Sequence, residues 1–130
     1  KLTAKGHRQA ARMAKWLQAR LPEGARVLCS PARRARQTAR ALREDLEVTD
    51  ALDVGGGARE LLAACGWPSA GTAVVAVGHQ PALGQAAALA LARKGHEWNL
   101  RKGAIFWLEA RDRAGAVQVN LRAVISPDLI

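Results

Sequence analysis

Two stretches of this chain share one layout, and that repetition restricts its possible folds more than any other feature. "VLCSPARRARQTA" (27–39) and "VVAVGHQPALG" (74–84) each run an apolar strand into a small polar turn, a proline and then a helix rich in alanine. Ala73–Val77 is apolar at every position, the pattern of a strand covered on both faces inside a parallel sheet. Strand followed by helix, twice, predicts an α/β fold with a mostly parallel sheet and helices on both faces. The remaining segments fit that frame. Thr3 reads as an N-cap for a helix over Ala4–Leu21, with Ala10, Met13, Ala14, Leu17 and Leu21 at helical spacing. Arg26–Cys29 is a short strand, and a second helix follows Pro31 with Ala35, Thr38, Ala39, Leu42 and Leu46 on one face. Glu47–Leu52 is expected as another strand, Ala58–Cys65 as a short helix closed by Gly66, and Pro81 as the first turn of a helix reaching Arg93. Ala104–Ala110 and Ala116–Val124 read as a closing strand pair joined by "RDRAG" (111–115), with Asp112 and Gly115 as turn formers.

With 130 residues, 49% hydrophobic and 24% charged, and no repeat or linker, the chain is expected to form one domain over residues 1–130. No apolar run approaches the ~20 residues of a membrane span, so no membrane partner is expected. Cys29 and Cys65 are too isolated for a disulfide framework or a zinc site, which points to a reducing, cytoplasmic compartment. The formal net charge of +9 suits an anionic substrate or an acidic partner. The arginines recur along the chain rather than in one block, and the sequence has one Phe, no Tyr and four Trp. That leaves little material for stacking bases, and nucleic acid is disfavoured as a partner. Trp16 and Trp107 are expected to pack on the sheet, and Trp67 and Trp98 to sit in loops.

In open α/β sheets ligands gather at the carboxyl ends of strands, where "CSP" (29–31) and "GHQP" (78–81) both fall. His79 is held there between Gly78 and Pro81. Arg33, Arg34 and Arg36 follow the other strand, pointing in different directions on their helix. A guanidinium donates two parallel hydrogen bonds to phosphate, so the residue types alone point to an anion site, phosphate first.

Three segments in order and spacing, "LTAKGHRQA" (2–10), "SPARRARQTA" (30–39) and "VGHQPALG" (77–84), resemble the histidine phosphatase superfamily (phosphoglycerate mutase-like), closest to bacterial SixA-type phosphohistidine phosphatases. "KGAIFWLE" (102–109) and "ISPDL" (125–129) also resemble that subgroup's closing strands. The resemblance implies the histidine phosphatase fold. It implies a hydrolase that needs no metal and no cofactor and works through a covalent phosphohistidine, on a phosphohistidine-containing signalling or phosphotransfer protein. Arg34 matches the arginine that clamps the phosphoryl group, and His79 the histidine that donates to its oxygens. Ser30, which shapes the turn, and Gly78, beside His79, are grouped with the substrate-binding residues. Electrostatic clamping of this kind supplies much of the rate in phosphoryl transfer.

The family's nucleophile, a histidine in an "RHG" motif on the first strand, has no counterpart here. His7 falls in the first turn of a helix and His96 in a loop. The expectation is therefore a domain without its first strand, which would lie between Arg26–Cys29 and Ala73–Val77, and a chain inactive without an upstream segment. Asp53 and Glu60 are the nearby carboxylates for a general acid. Two alternatives stay open: a phosphatase of a small phosphate ester, which would need that acid, and a non-catalytic phosphate-binding relative.

Overall fold

The structure, a computed structural model, describes residues 1–93, 95–96 and 98–130. The first helix, α1 (Ala4–Gln18), begins where Thr3 Oγ1 accepts the Gly6 amide at 3.0 Å, and buries Ala10, Met13, Ala14 and Leu17. It stops one turn short of the expected Leu21, before "PEG". Strand β1 (Arg26–Cys29) feeds α2 (Arg33–Leu42), which packs beside α1. Two side-chain bonds align these helices in parallel. Gln37 Oε1, midway along α2, accepts the Leu2 amide just before α1, and Gln18 at the end of α1 donates to the Leu42 carbonyl at the end of α2, both at 2.8 Å.

The expected strand over Glu47–Leu52 is cut short. Only β2 (Glu47–Val48) pairs, because the Thr49 hydroxyl then accepts the Ala51 amide and turns Asp50–Leu52 into a 3-10 helix. After α3 (Ala58–Ala64), Gly66 takes φ +73°, a conformation glycine adopts without Cβ strain. Strand β3 (Val74–Val77) leads into α4 (Ala82–Ala92) through a cis Gln80–Pro81 bond. The chain closes with β4 (Ile105–Arg113) and β5 (Ala116–Ile125), longer than expected. They are joined by a two-residue turn in which Ala114 and Gly115 both have positive φ and Asp112 accepts the Gly115 amide.

The strands form a three-stranded parallel sheet, β2-β1-β3, and a separate antiparallel pair, β4-β5. Alternation along the strands places helices on both faces of the first. Leu28, Val74 and Ala76 join Leu52, Leu61 and Ala86 under α3 and α4, while Val27, Cys29, Val75 and Val77 meet Ala39 and Leu42 under α2. Helix α4 buries Gly84, Ala86, Ala87, Ala88 and Ala90, positions spread around most of its circumference, as expected for a helix apolar on every side.

One expectation fails here. No strand lies between β1 and β3: they pair directly over four rungs, from Arg26↔Val74 to Cys29↔Val77. With β2 on its other side, β1 has both edges filled. Besides the two-residue β2, the unpaired edge of this sheet belongs to β3, whose four apolar residues are only half-buried whereas Val27, Leu28 and Cys29 beside it are closed to solvent.

Candidate active site

The parallel sheet brings the carboxyl ends of β1 and β3 side by side, so the turns after Cys29 and Val77 share one crevice. Ser30, completely buried, sits at the first of these ends; its amide donates to the Val77 carbonyl and its Oγ accepts the Ala32 amide at 3.1 Å. This turn aims α2 so that Arg34, in its first turn, reaches across to the second strand. There Arg34 Nη2 lies 3.3 Å from His79 Nδ1, and His79 Nε2 lies 2.8 Å from Ser30 Oγ.

The chemistry of the partners assigns the histidine proton. A guanidinium only donates, so Nδ1 accepts from Arg34 and the ring proton rests on Nε2, pointed at Ser30. Burial, and then the Arg34 charge, push the His79 pKa below the usual imidazole value, while Asp53 pulls the other way. The resting ring is therefore neutral near pH 7. The arrangement is a cation beside a neutral, oriented imidazole with a buried hydroxyl behind it. It can bind a tetrahedral anion by charge from Arg34 and by a second donor from His79 once that ring is protonated.

The other expected site residues separate. Asp53, at the end of the 3-10 turn, is close enough for its charge to act on His79. Glu60 faces elsewhere: it lines a shallow cavity of about 410 Å³ between α3 and α4 with Arg59, Gln85 and His96. Gly78 precedes His79 at the strand end, and an added Cβ there would make only ordinary contacts, with the Leu52 carbonyl at 3.5 Å. His7 and His96 are exposed, and neither takes part in the bonds that join Arg34, His79 and Ser30. Cys29, fully buried under Arg36 and Arg40, has its thiol pKa raised by burial and behaves as a small apolar residue.

Sequence reasoning missed Gln80. Its Oε1 accepts the Gly84 amide in the first turn of α4 at 2.8 Å, and its Nε2 donates to the Trp98 carbonyl at 3.0 Å. This amide fastens the loop before β4 to the helix that follows His79. An amide directly after the histidine and four residues before a glycine was the available signal. The tryptophans show a related division: Trp16 meets Trp107 edge to face at 6.1 Å between α1 and β4, while Trp98 stacks on Phe106.

Comparison with known proteins follows the same residues. The family model for the histidine phosphatase superfamily (branch 1) matches residues 1–61. Among proteins with curated descriptions, none matches the chain. Among solved structures, a protein assigned as phosphohistidine phosphatase SixA from Nakamurella multipartitia is 27% identical with a TM-score of 0.74, over 97% of this chain and 84% of that one. The protein histidine phosphatase SixA complexed with tungstate is 26% identical at the same TM-score, over 98% of this chain and 85% of that one. A phosphoserine phosphatase mutant from Entamoeba histolytica in complex with phosphoserine shares the fold at 17% identity, with a TM-score of 0.68 and 98% and 85% coverage.

Proposed function

This chain is a relative of the histidine phosphatase superfamily with a SixA-like fold, and from that premise we propose that it removes the phosphoryl group from a phosphohistidine-bearing protein. The observation that carries the reading is the single crevice joining Arg34, His79 and Ser30 at the ends of two parallel strands. Arg34 holds the phosphoryl oxygens and lets go of His79 Nδ1 as it does so. The ring then takes up a proton and donates from Nδ1 to the same group, while Ser30 fixes the ring from behind.

The attacking histidine, in this reading, is carried by a strand upstream of residue 1 that pairs with the open edge of β3. The half-buried valines of β3 and the split between its sheet and the β4-β5 pair support that placement. The phosphorus–nitrogen bond of the substrate breaks as one to the enzyme histidine forms; the leaving imidazole keeps the bond's electron pair and takes a proton. Water then displaces the enzyme histidine and releases inorganic phosphate. An imidazole leaves more readily than an alkoxide, so the step makes little demand on a general acid. The cytoplasm, with free thiols at Cys29 and Cys65, is the proposed compartment.

Tungstate, present in one SixA structure, is the probe for this chain. Calorimetric binding of tungstate should fall at least tenfold in Arg34→Ala and in His79→Ala, the loss of a charge-assisted contact. Protein extended by its upstream segment should release phosphate from a histidine-phosphorylated protein in preference to a phosphoserine peptide. Tungstate binding indifferent to Arg34, or a preference for phosphoserine, would defeat the reading.

The proximity of Asp53 to His79 favours one second reading, a phosphatase of a small phosphate ester with Asp53 as its acid. In that case Asp53→Asn removes activity toward an alkyl phosphate, with the loss largest at low pH, where the wild-type carboxyl is protonated and can donate.

A further inference from the structure

The positive charge that is scattered in sequence is gathered in space. Helices α1 and α2 carry eight of the 20 Lys and Arg residues, four from each, and none of the 11 acidic residues. On α1, Lys5, Arg8, Arg12 and Lys15 recur at helical spacing on the side opposite the buried stripe of Ala10, Met13, Ala14 and Leu17, and all four are exposed. On α2, Arg33 and Arg40 are exposed along one stripe. Among the described residues, none of these six pairs with an Asp or Glu carboxylate, and Arg12 donates to the oxygen of the last residue, Ile130, at 3.3 Å; the ion pairs lie instead on Arg26, Arg101, Arg111 and Arg122.

Because the helices run parallel, this surface has a direction. Arg33 stands next to Arg34 at the mouth of the crevice, and Arg40 lies at the far end of α2. The α1–α2 layer is thus a basic track about 15–20 Å long, from the helix rise per residue, leading up to the site. We propose that it is the docking surface for an acidic face of the protein substrate, guiding the phosphorylated side chain to Arg34. The identity of the partner rests on the phosphatase reading; the charge of the face does not.

Charge complementarity is the argument for that occupant, and the rest of the surface argues against other polyanions. Helix α2 carries no aromatic residue, and Trp16, at the border of the α1 stripe, is already held edge to face by Trp107 and covered by Arg20, so no free ring is left to stack a base. The exposed large apolar residues are Val48, Val54, three on β5 and, beside Arg12, Leu129 and Ile130; α1 and α2 themselves present none, so neither basic helix has the broad apolar face of one that lies in a lipid surface.

The test uses two peptides carrying a non-hydrolysable phosphohistidine analogue, one flanked by Asp and Glu, the other by Asn and Gln. Stopped-flow association is measured against wild type and a Lys5→Glu, Arg8→Glu, Arg40→Glu variant, at salt from about 50 to 500 mM, the range over which screening closes in. The expected result is a fall of about tenfold or more in the association rate of the acidic peptide at low salt, vanishing at high salt. The neutral peptide, tungstate affinity and thermal unfolding should be unchanged. Capture of the acidic peptide at the wild-type rate overturns the proposal. So does tighter binding of an oligonucleotide or a phosphatidylserine vesicle than of the acidic peptide. A wild-type protein that binds no tungstate yet loses acidic-peptide capture on charge reversal defeats the phosphatase reading and leaves the docking face standing.

Discussion

His79 is held in a state that an anion would reverse. Without ligand, burial and Arg34 keep its imidazole neutral, with the proton on Nε2. A bound tungstate engages Arg34 and places negative charge beside Nδ1, so the His79 pKa should rise on binding, and binding should take up a proton. A nitrogen-15 titration of the imidazole, with and without tungstate, measures that shift; an unmoved pKa would mean the anion does not meet His79. The free protein carries the opposite signature in its stability. A folded-state pKa below the unfolded one means the unfolded chain binds the proton more readily, so the contribution is present above about pH 6.5 and is lost as pH falls through the folded value. His79→Gln should flatten that part of the pH–stability curve. Ser30 is the residue behind this control. Ser30→Ala strips the Nε2 partner and the cap on the Ala32 amide, and should cost about 1–3 kcal/mol of stability along with a looser His79, seen as weaker tungstate binding.

Helix α4 shows how far an element can be read before its neighbours are known. Its existence and its start after Pro81 follow from "GHQPALG", and the apolar composition of 82–92 matches its burial on nearly every side. What the sequence does not carry is the loop laid across it. A Cβ at Gly84 would overlap the Trp98 carbonyl oxygen, the same carbonyl that Gln80 binds. Gly84→Ala should therefore lower stability by about 1–3 kcal/mol, the range for overpacking a close contact, and displace the loop, readable in unfolding midpoints and in Trp98 fluorescence. Strand β1 was legible because its apolar run has clear ends, and Arg34 and His79 because motif and strand end coincide. The stretch 47–52 misled because "EVT" (47–49) opens like a strand, with polar, apolar and polar residues in turn. Thr49 side-chain capping ends the pairing after two residues, and local hydrogen bonding of that kind leaves no periodic trace. The bond from His79 to Ser30 spans 49 positions, and only the register of β1 on β3 brings the two together.

At the scale of the whole molecule, a chain whose arginines look evenly spread becomes two-sided, with a helical layer free of carboxylates on one side of the sheet. The other large-scale feature is the open edge of β3, a row of backbone donors and acceptors next to half-buried valines. Edges like this invite pairing between molecules, and the net charge of +9 opposes it by repulsion. Self-association at this edge and capture at the docking face therefore respond to salt in opposite senses. Screening that weakens the hold on an acidic partner also removes the barrier between copies. Light scattering from a preparation of residues 1–130 should accordingly show small, well-dispersed particles in dilute buffer and growing clusters as sodium chloride is added. If a strand pairs with β3 as proposed above, a version that includes it should stay dispersed throughout. For anyone handling the protein, the open edge turns an ordinary high-salt wash into the step most apt to cost the sample.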